Sequence, residues 1–226
     1  MRHLISLLRR ERKQQKLKPP KKRGKRLIRV GTTIFFAVLG LIAFLALGFQ
    51  AEKAKAMEIA DSIMRSNWRS TSFPVENFQR YSSAYGYRLN PDGSPGWGFH
   101  RGIDIAAPAG SYIRSWSTGE VVEIANDRLC GTKLVIKSGE WQHIYCHLKG
   151  RAATSPQGRY LNDPESGLQI WEGQQVNAGI RIGRVGTTGR TTGPHLHWGL
   201  KYDGTYIDPG IVLQAMYQQQ PRGYRW

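Results

Sequence analysis

Twenty consecutive residues without a charge, "VGTTIFFAVLGLIAFLALGF" from Val30 to Phe49, divide this 226-residue chain into two unequal parts. As a helix rising 1.5 Å per residue they reach about 30 Å, the thickness of a bilayer's hydrocarbon core. A core helix of a soluble domain carries a polar stripe, and this run has none. The expectation is one transmembrane helix over 30–49. Residues 1–29 ahead of it hold 13 Lys/Arg and one Glu, most of the formal net charge of +17, whereas the rest of the chain has 20 basic and 15 acidic residues. A basic segment beside a span stays on the cytoplasmic side. The charge therefore reports orientation, and no nucleic-acid partner is expected. Everything after Gln50 is then exported. A cleaved signal peptide is the rival reading. Its apolar region would run to only roughly 7–15 residues, although "AEKAKA" after the span offers small residues for cleavage. The reading adopted is an uncleaved signal-anchor in a single-pass protein.

The exported part changes character along its length. Residues 51–70 have helix-forming composition, with Met57, Ala60, Ile63 and Met64 at helical spacing, and read as a short stalk helix. From about Phe73, Gly, Pro, Ser and Asn recur every few residues around short β-type runs: "SYIRSW", "GEVVEIA", "KLVIK", "QHIYCHL", "RIGRVG" and "HLHWGL". That pattern predicts an all-β domain. Residues 151–172, with Pro156, Gly158, Asn162, Asp163, Pro164 and Gly167, read as a long surface loop. The two cysteines, Cys130 and Cys146, flank "GTKLVIKSGEWQHIY", which reads as two strands about a Ser-Gly turn. Closing that hairpin near Gly139 sets Cys146 opposite about Lys133, with Cys130 diagonally nearby. In an oxidising compartment a disulfide is expected, worth about 3 kcal/mol for a loop of roughly 15 residues. The alternative is two buried thiols.

Five of the six histidines fall in three clusters, "FHRGIDIAAP", "QHIYCHL" and "GPHLHWGL". In a strand, side chains alternate faces. His195, His197 and Gly199 then share one face while Leu196, Trp198 and Leu200 take the other. The same alternation puts His100, Gly102 and Asp104 on one face with Ile103 and Ile105 opposite, and sets His143, Tyr145 and His147 together. Each cluster alone is compatible with a solvated polar face. Three clusters, each backed by an apolar face, point to one site. A catalytic zinc takes three protein ligands from His, Asp or Glu and keeps a position open for water. Two imidazoles and one carboxylate meet that need, and the spare histidines suit proton transfer or oxyanion stabilisation.

"FHRGIDIAAP", "IYCHLKG" and "GRVGTTGRTTGPHLHWGL" resemble the lysostaphin/LytM-type zinc metallopeptidases, which cut peptidoglycan cross-links. "SSAYGYRLNP", with Tyr85-Gly86-Tyr87-Arg88, resembles the family's entry segment, and "YDGTYIDPGIVL" its end, so the resemblance covers about residues 78–213. It implies a compact, mainly antiparallel β domain with one zinc per chain in an open groove. It implies His100, Asp104 and His197 as metal ligands, and His147 and His195 as catalytic histidines that bind no metal. His143 has no counterpart in the pattern and is expected to be a polar residue beside the groove. The 151–172 segment is longer than the family's usual connection. Some members carry "CG…YCHL" as here, which supports the disulfide.

The expected organisation is a cytoplasmic tail at 1–29, the span at 30–49, a partly helical stalk at 50–77, a LytM-like metallopeptidase domain at 78–213 and a tail at 214–226. The expected function is hydrolysis of peptidoglycan peptide cross-links from the bacterial inner membrane, with the catalytic domain in the periplasm. The D-Ala–diaminopimelate bond is then the target of a D,D-endopeptidase, and a protein regulator is an expected partner. The alternative is a non-catalytic LytM-like protein that binds and activates other wall hydrolases. Such members lack part of the ligand set.

Overall fold

Short strands with one apolar face can bury that face only by pairing side by side over a common core. The computed structural model describes residues 24–219, and its second compact unit, which begins at Glu58, is built in this way. The first unit, ending at Met57, is described from Gly24 as helix. The helix α1 has bounds Gly24–Arg65, so it takes in both the expected span and much of the expected stalk. It is long and apolar enough to cross a membrane, and Ile34, Phe36, Phe44, Leu47 and Phe49 on it are exposed. Most of the basic segment 1–29, and residues 220–226 of the expected C-terminal tail, lie outside the described residues.

Fifteen strands follow: β1 Arg80–Ser83, β2 Gly86–Leu89, β3 Trp97–His100, β4 Ile103–Ala106, β5 Tyr112–Arg114, β6 Gly119–Asp127, β7 Gly131–Ser138, β8 Trp141–Cys146, β9 Arg151–Ser155, β10 Gly158–Asp163, β11 Leu168–Trp171, β12 Gln175–Val176, β13 Arg181–Arg184, β14 His195–Tyr202 and β15 Thr205–Ile207. The helix α2, Pro209–Gln219, closes the described chain. The main sheet runs β1-β4-β14-β8-β7-β6-β12, with β15 also on β14, and its pairings are antiparallel. Register explains its two faces. Ile103, Trp198, Tyr145 and Leu134 align across four strands and are buried. One residue along, Asp104, His197 and Cys146 align on the opposite face.

The apolar face is organised around Trp116, whose ring centre lies 5.5 Å from those of Trp68 and Trp141, 5.8 Å from Trp198 and 5.1 Å from His143. Its indole N–H donates to the Met216 sulfur at 3.0 Å. Ile59, Ile63, Trp68, Phe73 and Val75 enter this core from before residue 78, and Val212, Ala215 and Met216 from around and beyond 213. The segment read as stalk thus supplies core side chains, with Trp68 buried 5.5 Å from the ring centre of Trp116 and 5.8 Å from that of Trp141.

Two expectations are corrected here. Residues 151–172 are a three-stranded antiparallel sheet, β9-β10-β11, and not a loop. Pro156, Gln157 and Gly167 belong to its turns, while Leu161 and Ile170 reach the core and Tyr160 stacks on Trp171 at 4.4 Å. His143 is also not beside the groove. It is fully buried on the core face, bonded to Ser138 Oγ at 2.8 Å and to the Tyr145 hydroxyl at 3.1 Å. Burial lowers its pKa to about 3, so it sits neutral in the core.

Candidate metal centre

Three elements bring the expected ligands together. His100 ends β3, in the two-stranded sheet with β2, whereas Asp104 lies on β4 of the main sheet. The two therefore do not share one extended strand. They meet because the chain turns at Arg101-Gly102 and folds the β2–β3 hairpin back towards the sheet. Asp104 and His197 are direct cross-strand partners on β4 and β14. Gly102 lies where a Cβ would come within 2.6 Å of the Trp198 carbonyl oxygen and 2.7 Å of His197 Nε2, so the turn can approach β14 only as glycine.

The donor atoms converge tightly. His100 Nε2 is 3.0 Å from Asp104 Oδ1 and 2.9 Å from His197 Nδ1, and the latter is 2.9 Å from Asp104 Oδ1. Hydrogen bonds fix the proton on His100. Its Nδ1 lies 2.7 Å from the Ala84 carbonyl oxygen, which can only accept, so Nδ1 carries the proton and a neutral ring turns the Nε2 lone pair to Asp104. A lone pair facing a carboxylate oxygen repels it unless a cation lies between them. The set of two imidazole nitrogens and one carboxylate oxygen thus fits a zinc ion by donor chemistry as well as by convergence. Arg88 completes the arrangement. Its Nη1 donates to Asp104 Oδ2 at 3.0 Å and to Ser83 Oγ at 2.5 Å, occupying one carboxylate oxygen and leaving Oδ1 for the histidines. Burial alone would raise the Asp104 pKa, but the His100, His195 and His197 imidazoles gathered around the carboxylate hold it well below the usual carboxylate range.

His147 and His195 stand beside this triangle, their ring centres 4.7 Å apart. His195 Nδ1 donates to the Gly193 carbonyl oxygen at 2.9 Å, and its Nε2 is 3.5 Å from Asp104 Oδ1. His147 Nδ1 donates to the Thr188 carbonyl oxygen at 2.8 Å. Each ring therefore keeps Nε2 free of a proton when neutral. Burial lowers the His147 pKa to about 4. Burial also acts to lower that of His195, but the Asp104 carboxylate outweighs it and the net shift is upward. Burial lowers that of His197.

His147 does not reach this face by strand alternation. It follows β8 and has a left-handed backbone, φ +62°, a conformation uncommon outside glycine. That single twist swings it away from the core face occupied by His143 and Tyr145. Its backbone is pinned on both sides: its N–H donates to the Cys130 carbonyl at 2.8 Å, and its carbonyl accepts from Gly186 at 2.9 Å. The Cys130–Cys146 disulfide ties the same two segments covalently. Arg88, Ala84 and Thr188 have roles here that no spacing announced, since each partner is 16 to 41 residues away.

The centre opens into a groove of about 700 Å³ whose wall includes Arg101, Lys133, Gln142, Lys201 and Tyr206, with a second opening past Ser82, Thr191 and Trp97. That is room for a length of peptide.

Comparison with known proteins agrees with this geometry. The model of Peptidase family M23 matches residues 98–209. DD-carboxypeptidase/endopeptidase Mpg of Neisseria meningitidis is 32% identical over 136 residues, covering 60% of this chain and 27% of its own length. Peptidoglycan DD-endopeptidase ShyA of Vibrio cholerae is 33% identical over 149 residues, 66% of this chain and 30% of its own. The crystal structure of a zinc containing peptidase from Vibrio cholerae superposes with a TM-score of 0.50 at 26% identity, covering 66% of this chain and 40% of that one. The chain thus spans less than a third of the length of these curated relatives. With the motifs, the antiparallel fold and the converging His-Asp-His set all in place, the chain carries a domain of peptidase family M23, the lysostaphin/LytM-type metallopeptidases, over residues 98–209.

Proposed function

We propose that this chain is a membrane-anchored zinc endopeptidase that hydrolyses peptide cross-links of peptidoglycan, acting as a D,D-endopeptidase on D-Ala–diaminopimelate bonds. The observation that carries the reading is the mutual approach of His100 Nε2, Asp104 Oδ1 and His197 Nδ1 to within 3.0 Å, with two free imidazole nitrogens alongside in a groove. Both curated relatives are named for DD-endopeptidase activity, which supports the choice of bond.

In this reading His100, Asp104 and His197 hold the metal. Bound zinc polarises a substrate carbonyl and lowers the pKa of a water towards about 7. Arg88 holds the Asp104 carboxylate in orientation through Oδ2. His147 and His195 each keep a proton on Nδ1 through a backbone carbonyl and offer Nε2 to the reacting groups. One, neutral, accepts the proton of the attacking water at Nε2 and passes it to the departing amine, and the other, protonated at Nε2 as well, donates a hydrogen bond to the developing oxyanion. The groove positions the peptide, and the His147 backbone, pinned on both sides, keeps its imidazole from drifting. All five positions are filled, which argues against the regulatory alternative. Residues 30–49 would cross the inner membrane with the basic segment in the cytoplasm and the metal centre in the periplasm.

The test uses the full chain in detergent, assayed for bound metal and incubated with cross-linked muropeptide dimers. Conversion to monomers that a chelator abolishes and zinc restores is the expected result. A protein that binds no zinc and leaves dimers intact would overturn the reading.

A further inference from the structure

The groove continues along β14 past the metal centre. The face that carries His195 and His197 next carries Gly199 and Lys201. Lys201 lies directly across from Tyr206 on β15, and its Nζ stands 4.6 Å from the centre of that ring. The Arg101 guanidinium, from the turn between β3 and β4, lies 5.7 Å from the same ring. All three residues line the groove.

These two cations differ from the others in the groove. Lys133 is paired with Glu123 at 2.6 Å, Arg88 with Asp104 at 3.0 Å and Arg190 with Asp92 at 3.5 Å. Among the described residues, neither Arg101 nor Lys201 has a carboxylate within ion-pair distance. A shared aromatic face attracts both, but two positive charges drawn to one ring also repel each other. An anion placed between them would relieve that repulsion and gain charge-assisted hydrogen bonds from both.

We propose that Arg101 and Lys201, gathered over Tyr206, form a subsite for a carboxylate of an acidic peptide substrate. The proposal rests on the peptidoglycan endopeptidase reading and narrows it to acidic stem peptides over neutral bridges such as oligoglycine. Four residues of strand separate Lys201 from His197, about 13 Å at the usual rise. An extended peptide covers that distance in about four residues. The recognised carboxylate therefore belongs to the stem peptide near the cut bond and takes no part in the reaction.

The test is binding, so it does not depend on cleavage. The probes are a synthetic stem tetrapeptide, Ala-γ-D-Glu-diaminopimelate-D-Ala, and the same peptide with its D-Glu and diaminopimelate carboxylates amidated. They are titrated into the zinc-loaded full chain in detergent at constant ionic strength. The wild type should bind the acidic peptide roughly tenfold more tightly, a difference of about 1.4 kcal/mol. Arg101→Gln and Lys201→Gln should each shrink that preference, and the double variant should bring it within about twofold. Arg151→Gln, an exposed cation on β9, should keep it in full. No preference in the wild type, or an undiminished preference in the double variant, would overturn the subsite. So would an equal loss in Arg151→Gln, which would reveal only general charge attraction. Dimer cleavage by the same preparations separates the two claims. Cleavage without preference sinks the subsite alone. Preference without cleavage sinks the proposed reaction and leaves the subsite. Binding of neither peptide sinks both.

Discussion

His143 and His147 stand four residues apart, yet they belong to opposite faces of one sheet. His143 is sealed among Trp116, Tyr145 and Ser138, where its imidazole satisfies two hydroxyls and stays neutral. His147 faces the groove, its ring 4.7 Å from His195 and 6.1 Å from His197. The same side chain is a core hydrogen-bonding residue in one place and a candidate proton carrier in the other. What separates them is one left-handed residue at the end of β8. The difference teaches that histidine content marks a site only once the face of each histidine is known.

The two faces differ most sharply at the candidate metal centre. Asp104→Asn should lose stoichiometric zinc, and its dimer cleavage should fall by more than the roughly 10–100-fold typical of outer-shell changes. Metal analysis and a timed cleavage assay check this. Arg88→Gln should cause that smaller loss, about 10–100-fold in zinc affinity, because Asp104 Oδ2 is left free to rotate towards the metal. Competition with a chelator of known affinity measures it. His143→Ala should do the converse. It leaves the groove intact but removes two buried hydrogen bonds, costing about 1–3 kcal/mol in a urea melt while bound zinc stays at one per chain.

The same histidine also sets a pH dependence. The folded pKa of His143 lies at about 3, below the ordinary value of 6.5, so the unfolded chain binds its proton first as pH falls. Its contribution to stability is complete above pH 6.5 and is lost progressively down to about pH 3. His147 and His197, also lowered, tilt the curve the same way. Subtracting the curve of His143→Gln from that of the wild type removes their share. The wild type should lose about 1.4 kcal/mol more per pH unit between pH 6 and 4. Parallel curves for the two proteins would mean that His143 is not held neutral in the core.

Several parts of this molecule were legible from local pattern. The "HLHWGL" alternation placed His195 and His197 on one face and Leu196, Trp198 and Leu200 in the core, because a regular strand obeys period two. The Cys130–Cys146 pairing followed from a hairpin whose turn is marked by Ser138-Gly139. Other parts were not legible. Turn residues look alike in a loop and in a hairpin, so the β9-β10-β11 sheet was hidden until Leu161 and Ile170 met the core. His100 and Asp104 sit at the spacing of a shared strand face but reach the candidate metal centre from two sheets. Pattern within a segment is set by backbone geometry and is written in the order of residues. Which face a departing residue such as His147 turns to, and which distant carbonyl or guanidinium holds a ligand in place, depends on contacts between segments. For Ala84, Arg88 and Thr188 those contacts exist only once the sheets have packed.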